Sequence, residues 1–428
     1  MQRRTFVKTA GAAAGALISG RKAGRAAGAT PIEHLVVVMM ENRSFDHILG
    51  WLPNAQGMQA GLSYKDSNGN LQPTFELAPD YTGCAYPDPD HSYEGGRTEY
   101  DGGLMDAFLQ VQPGSLYPIG YYREKDLPFR SAFARNYLTC DHYFPSILAP
   151  TIPNRIFQHA GQTDRLSDTL TISTLPTIWD HLATAGVSHK YYFSNVPLLA
   201  LWGTKYLKIS FPYSQFLADC AAGTLPAVSF VDPSFTILLN LAKDDHPHSD
   251  MRNGDAFMAK TFRAVASSPN WSSTAFIVNY DEWGGFFDHI VPPRAVAPNS
   301  VDTDLVDGKA LLGIRVPCIV ASPWTLGNPA APSVNSTIFD HTSVLKLIES
   351  VFGVPPLAAR EESNDVGNLL EVFNFSAPHS SVPVLPNPPY VIPSSICQTS
   401  VLSARTDNDP TIFQQIIDSG MLRGWPAY

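Results

Sequence analysis

Three short stations carry most of the chemistry written in this chain: Glu41-Asn42, Thr151 in the run Thr151-Ile152-Pro153-Asn154-Arg155, and Asp281-Glu282. A carboxylate and an amide carbonyl at adjacent positions both present oxygen to a hard cation if the chain turns sharply there, and a second pair of acids extends the set. Glu41, Asn42, Asp281 and Glu282 offer oxygen alone, which suits Mg, Ca, Mn or Fe better than a thiolate-loving metal. Thr151 adds a hydroxyl at an expected helix start, where free N–H groups and the positive helix end favour a phosphate anion. A threonine alkoxide is a poor species at neutral pH unless a cation holds it, so the acids and Thr151 make sense together. Taken singly, each has a plainer use: Asn42 and Asp46 are placed to cap the next helix, and Thr151 to serve as an N-cap.

Asp281-Glu282 runs on through Trp283-Gly284-Gly285-Phe286-Phe287-Asp288-His289, where the two glycines let the backbone turn back tightly, so that the two acids and the Asp288-His289 pair face one pocket. Phosphoryl transfer also needs groups for the equatorial oxygens and an acid for the leaving alkoxide, and histidine can do both near neutral pH. Of 12 histidines, three have suggestive settings: His91 in Asp88-Pro89-Asp90-His91, His246 in Asp244-Asp245-His246-Pro247, and His289. His248 reads better as structural, and His341 as part of a helix cap.

The elements that must position these residues are strands and helices in alternation. Apolar runs Leu35–Met40 and Ala275–Tyr280 each end on an acid. Further strands are expected at Lys190–Ser194, Ala227–Val231 and Val316–Ala321. Helices are expected from Thr177 to Ala185, stopped by Gly186, and from Thr342 to Phe352, capped by Asp340 and stopped by Gly353. Such alternation points to an α/β fold with a mainly parallel sheet, whose ligands lie beyond the carboxyl ends of the strands. No linker or charged run divides residues 30–428, so one elaborated domain is expected. Residues 53–118 form an irregular excursion over it, and a Pro-rich segment lies near the C-terminus.

Residues 1–29 read as a twin-arginine signal: Arg3-Arg4-Thr5-Phe6-Val7-Lys8, a small-residue stretch, a basic region, and Ala27-Gly28-Ala29 as cleavage site. The expectation is a partnership with the twin-arginine export machinery and a periplasmic or secreted location. Cleavage removes Arg3, Arg4, Lys8, Arg21, Lys22 and Arg25 and no acid, moving the formal charge from −10 to −16. That balance argues against a nucleic-acid partner and against capture by anionic membranes through charge alone. Five scattered cysteines without a C-x-x-C pair exclude zinc-ribbon and thioredoxin-like readings and allow at most two disulfides.

Glu41-Asn42-Arg43-Ser44-Phe45-Asp46, Thr151-x-Pro-Asn-Arg155, Asp245-His246-Pro247, Asp281-Glu282 with Gly284-Gly285-Phe286-Phe287-Asp288-His289, and Asp340-His341-Thr342-Ser343 together resemble the bacterial phosphoesterase family of phosphatidylcholine-type phospholipases C and related acid phosphatases. The resemblance implies an alkaline-phosphatase-like α/β fold, its mainly parallel central sheet covered by helices on both faces. It also implies one divalent metal and a hydroxyl nucleophile that forms a phospho-enzyme. Carried over by position, Glu41, Asn42, Asp281 and Glu282 hold the metal with Thr151. His91, His246 and His289 surround the phosphate, and Asn154, Arg155 and Asp288 bind substrate. The stretch after Ser343 is too short for the repeated C-terminal modules some members carry, so the catalytic domain meets a phospholipid, or a small phosphoester, by transient contact with a membrane surface at most. Tyr81, Tyr86, Tyr93, Tyr100 and Trp283 are candidates to box a choline cation. Two rival readings stand beside the phospholipase: an acid phosphatase with the same residues, and an exported binding protein that has lost turnover.

Overall fold

The apolar run before Glu41 forms β1 (His34–Met40), at the middle of an eight-stranded sheet. The computed structural model describes residues 30–235, 242–379, 381–392, 397 and 412–426, so the export signal expected in residues 1–29 lies outside the described residues. From Pro31 onward the chain forms one compact unit. The other strands of the sheet are β2 (Leu138–Cys140), β3 (His189–Phe193), β4 (Ser210–Pro212), β5 (Val228–Val231), β6 (Thr274–Tyr280), β7 (Cys318–Ala321) and β8 (Val334–Asn335). They lie in the order β8-β2-β7-β6-β1-β5-β3-β4. Leu35 pairs in parallel with both Val228 and Ala275, and only β7 runs against its neighbours β6 and β2.

Helices α1 (Phe45–Leu49), α2 (Tyr93–Tyr100), α3 (Pro128–Asn136), α4 (Thr151–Ala160), α5 (Ile178–Thr184), α6 (Tyr213–Ala222), α7 (Met251–Ala266) and α8 (His341–Phe352) pack around it. Side chains alternate across a strand, and β6 shows both layers. Phe276 meets Phe133 of α3 and Phe262 of α7. Asn279, pointing the other way, donates to Gln158 of α4 at 3.3 Å. Covered on both faces, β1 is apolar from Leu35 to Met40 rather than alternating. Burying each of Leu35, Val36, Val37 and Val38 contributes about 1.5–3 kcal/mol before entropy is counted.

The other expected strands form within two residues of their expected ends. α5 starts after Thr177, with Asp180 reciprocating as a capping box, and α8 starts after Asp340 and ends at Gly353 in the left-handed region. Ser44 caps α1, the role assigned above to Asn42 and Asp46. Pro150 precedes α4, so Thr151 is its first helical residue rather than its cap. The 53–118 excursion contains α2 and a short ladder of Ser63–Lys65 with Leu71–Pro73. Cys84 is bonded to Cys397, while Cys140, Cys220 and Cys318 are free.

Candidate active site

Glu41 follows β1 directly and Asp281 follows β6, and the two turns are laced together. Asp281 N–H donates to Met40 O at 3.1 Å, Asn42 N–H to Asp281 Oδ1 at 3.1 Å, and Arg43 N–H to Glu282 O at 3.1 Å. Asn42 adopts φ 56° and Gly284 φ 66°. A Cβ on Gly284 would come within 2.1 Å of Asn42 O, so the close approach demands glycine there. Glu41 N–H donates to Asp244 O at 2.8 Å, which ties in the Asp244-Asp245-His246 turn. That turn is fixed by Arg130 and Tyr280, which both donate to Asp245 Oδ2.

Thr151 enters from α4. Its hydroxyl donates to Glu41 Oε2 at 3.3 Å and lies 3.4 Å from Asn42 Oδ1. His91 sets the direction of the Asn42 amide: its Nδ1–H donates to Pro89 O at 2.8 Å, which leaves Nε2 to accept from Asn42 Nδ2 at 3.2 Å. His246 likewise commits its Nδ1–H to Pro247 O, and its ring stands edge-on to His91 at 5.9 Å. Burial lowers the His91 pKa to about 4. Burial and then the His91 charge lower that of His246 well below the usual range. Both rings are therefore neutral in the free protein, with Nε2 as acceptor.

Arg155, one turn beyond Thr151 on α4, is 2 % exposed and faces inward. It reaches Glu41 Oε1 at 2.5 Å, Asp232 Oδ1 at 3.1 Å and Asp281 Oδ2 at 3.2 Å, and also donates to the carbonyls of Met39 and Met40. Burial opposes its charge, yet these three carboxylates raise its pKa. Burial, then the Asp281 charge, push Glu41 and Glu282 well above the ordinary carboxylate range, with Arg155 pulling Glu41 back. One guanidinium thus faces more buried acid than it can neutralise. Glu282 Oε2 accepts from Gly284 N–H at 2.6 Å, but its Oε1 is buried without a hydrogen-bond partner, 3.8 Å from His91 Nε2. An excess of buried carboxylate, an orphaned Glu282 oxygen, and the clustered oxygens of Glu41, Asn42 and Thr151 fit a hard divalent cation.

The remaining expected residues lie differently. Asn154 spends its amide on the loop before α4, donating to Ile147 O, Ala149 O and Pro150 O and accepting from Ile147 N–H. Asp288 and His289 form a second cluster with Asp46 and Arg315: His289 Nδ1 bonds Asp46 Oδ2 at 2.5 Å, and Arg315 bridges Asp46 at 3.0 Å and Asp288 at 3.1 Å. Burial lowers the His289 pKa and Asp46 more than restores it, leaving it raised. The aromatic box does not form. Trp283 is fully buried and donates to Glu99 at 2.7 Å, Tyr81 stacks on Tyr122, Tyr86 stacks on Tyr117, and Tyr93 donates to Asp302. The sequence reading missed Asp232, although it ends β5 as Glu41 ends β1. It also missed Asp88, whose two carboxylate oxygens are buried without partners, one of them 3.9 Å from His246 Nε2.

The family model described as the Phosphoesterase family matches residues 32–355. Among curated relatives, Phospholipase C B of Mycobacterium tuberculosis is 33% identical over 94% of this chain and 93% of its own length. Phospholipase C A of the same organism is 32% identical over 87% and 84%, and Non-specific phospholipase C6 of Arabidopsis thaliana 31% over 76% and 69%. Solved structures with a similar arrangement include a protein of the alkaline phosphatase superfamily from Vibrio parahaemolyticus, at 12% identity over 80% of this chain and 71% of that one. Its TM-score of 0.37 is too low to speak to function.

Proposed function

The chain belongs to the phosphoesterase family, and from that membership we propose that it is a metal-dependent phospholipase C cleaving the phosphodiester of phosphatidylcholine-type lipids through a phosphothreonine intermediate. The observation that carries the reading is the meeting of Thr151 Oγ1, Glu41 Oε2 and Asn42 Oδ1 at the start of α4, with Asp281 and Glu282 laced to the same turn. Glu41, Asn42, Asp281, Glu282 and Thr151 would hold the cation. A divalent cation supplies positive charge that lowers the pKa of the Thr151 hydroxyl and offsets charge on the phosphoryl oxygens.

The chain's own groups do the rest. The Thr151 hydroxyl proton already points at Glu41, so the Oγ lone pairs are free to attack phosphorus. A P–O bond forms to Thr151 as its proton passes to Glu41, and the bond to the diacylglycerol oxygen breaks; the proton returns to Thr151 when the phosphothreonine is hydrolysed. The Nε2 atoms of His91 and His246 are lone-pair acceptors in the free protein. A phosphoester's negative charge beside them favours their protonation, which provides the proton for the leaving alkoxide, and the ring so deprotonated takes one from water when the phosphothreonine is hydrolysed. Arg155 holds the carboxylates of Glu41, Asp232 and Asp281 in place; its directions are all filled by protein, so it acts by positioning. Export by the twin-arginine route belongs to the same proposal, supported by the Arg3-Arg4 pattern and its flanks.

The test compares phosphocholine release from phosphatidylcholine with phosphate release from a simple monoester, each with and without a chelator. Chelator-sensitive phosphocholine release is the expected result. Phosphate release alone would move the protein to the acid phosphatase reading, and neither activity would leave a binding protein.

A further inference from the structure

The carboxyl end of the sheet carries a further cavity, of about 320 Å³, walled in part by Pro212, Phe257 and Tyr390, whose charged lining is Lys243 and the exposed Lys260. In a chain of net charge −10 this pairing is conspicuous, since no carboxylate forms an ion pair with either lysine among the described residues. Lys243 is half-buried and lies over the Tyr390 ring at 4.4 Å, and Lys260 lies over Tyr213 at 5.7 Å. Ser234 Oγ is buried in the same lining without a hydrogen-bond partner. Tyr213 and Ser214, also lining it, are the first residues of the ten-residue α6, which follows Pro212 and has no side-chain cap. Two unneutralised ammonium groups, an unsatisfied hydroxyl and an uncapped helix start all favour negative charge at one place.

We infer that this cavity binds a phosphate-bearing anion at a site separate from the catalytic centre, with Lys243 and Lys260 supplying charge and Ser234 Oγ and the start of α6 supplying hydrogen bonds. Burial, then the Lys260 charge, lower the Lys243 pKa, a cost that a bound anion relieves. The two sites are linked through the backbone. Ser194 Oγ, in the cavity lining, donates at 3.0 Å to the carbonyl of Asp232, whose carboxylate holds Arg155. Lys243 precedes Asp244, whose carbonyl receives the Glu41 amide. The Pro-rich C-terminal segment closes the outer side through Tyr390, pinned by two hydrogen bonds between Asn253 of α7 and Val391, at 2.7 and 3.0 Å.

The anion comes either free in solution or as the headgroup phosphate of an anionic lipid, and one experiment with two arms separates these sources without turnover. In the Thr151→Ala background, the full chain and its K243M/K260M and K243R/K260R derivatives are titrated calorimetrically with inorganic phosphate. The same proteins are co-sedimented with vesicles of phosphatidylcholine and phosphatidic acid. A free-anion site shows as a phosphate-binding event that K243M/K260M weakens by roughly tenfold per lysine and K243R/K260R retains. A headgroup site shows as a loss of vesicle capture of similar size that inorganic phosphate does not mimic. Phosphate binding and vesicle capture both unchanged in K243M/K260M, or lost equally in K243R/K260R, would overturn the inference. Failure of the phospholipase reading changes neither arm, since both measure binding alone.

Discussion

Replacing Arg155 by Met tests the electrostatics of the candidate active site most directly. The guanidinium is buried against Glu41, Asp232 and Asp281 at 2.5, 3.1 and 3.2 Å, and removing it strands three acids that have no other cation in the described contacts. Breaking a buried ion pair from one side costs roughly 3–5 kcal/mol, most of it the penalty of the charge left behind. Unfolding entropy of about 2.1 cal/mol/K per residue over 428 residues makes 1 kcal/mol worth about 1.1 °C, so the melting temperature should fall by roughly 3–6 °C at pH 7. The sign with pH follows from the same picture. Glu41 and Asp232, already raised by burial, become more so and take up protons that the unfolded chain has released. The variant's deficit should therefore shrink as pH falls from 7 to 5. Arg155→Lys keeps a charge but cannot fork toward three partners, and should fall between. Calorimetric melting of the three metal-free proteins at both pH values is the assay. An Arg155→Met protein melting within about 1 °C of the parent at pH 7 would refute the claim that this one cation holds the acid cluster together.

Thr151→Ala should lower kcat by at least about a thousandfold while changing stability by less than about 1 kcal/mol, because the hydroxyl's contacts at 3.3 and 3.4 Å are long; steady-state kinetics and melting on one preparation check both. Chelation should lower the melting temperature, and a divalent ion at about a hundred times its Kd should restore about 2.7 kcal/mol; equal melting with and without metal would count against a cation at Glu282. Away from the site, burial raises Glu361 to about 7, and burial with the Glu361 charge raises Glu349 to about 8. The folded state then holds protons that the unfolded chain releases above its ordinary carboxyl pKa, so this contribution is present at pH 4 and lost as pH rises through 7 to 8. E349Q/E361Q should show a flatter fall in melting temperature between pH 5 and 8, and an unchanged slope would contradict the assignment.

The site was legible where chemistry follows a strand. Leu35–Met40 and Ala275–Tyr280 are buried on both faces, so they read as unbroken apolar runs, and the acid closing each run marks the carboxyl edge of the sheet. The same signal stood before Asp232 and was passed over, because nothing local says that one acid will face an arginine 77 residues away. Arg155 read as a substrate ligand for a related reason: a motif position tells which residue is present, whereas the direction of a guanidinium depends on three acids delivered by three strands. Asn154 and Asp288 were legible as members of motifs but not as the loop brace and the arginine partner they form here. The expected choline box failed because aromatic rings in a long excursion cover the core and each other. Ser44 displaced Asn42 and Asp46 as the cap of α1 because Asn42 is held left-handed by the neighbouring turn.

The parallel register of β1 also governs when the protein can become active. Leu35 pairs with Val228, and His34 with Thr274, so the central strand has no sheet partner in its own half of the chain. Closing such long loops precedes any reward from the contacts they make, which slows folding and leaves β1 without its neighbours until most of the polypeptide is synthesised. Glu41 and Asp281 meet only after that closure. A cation site built from Glu41 and Asp281, as proposed, would therefore form only on a finished sheet, and a nascent chain stalled before β6 would carry Thr151 without the acids of the second turn.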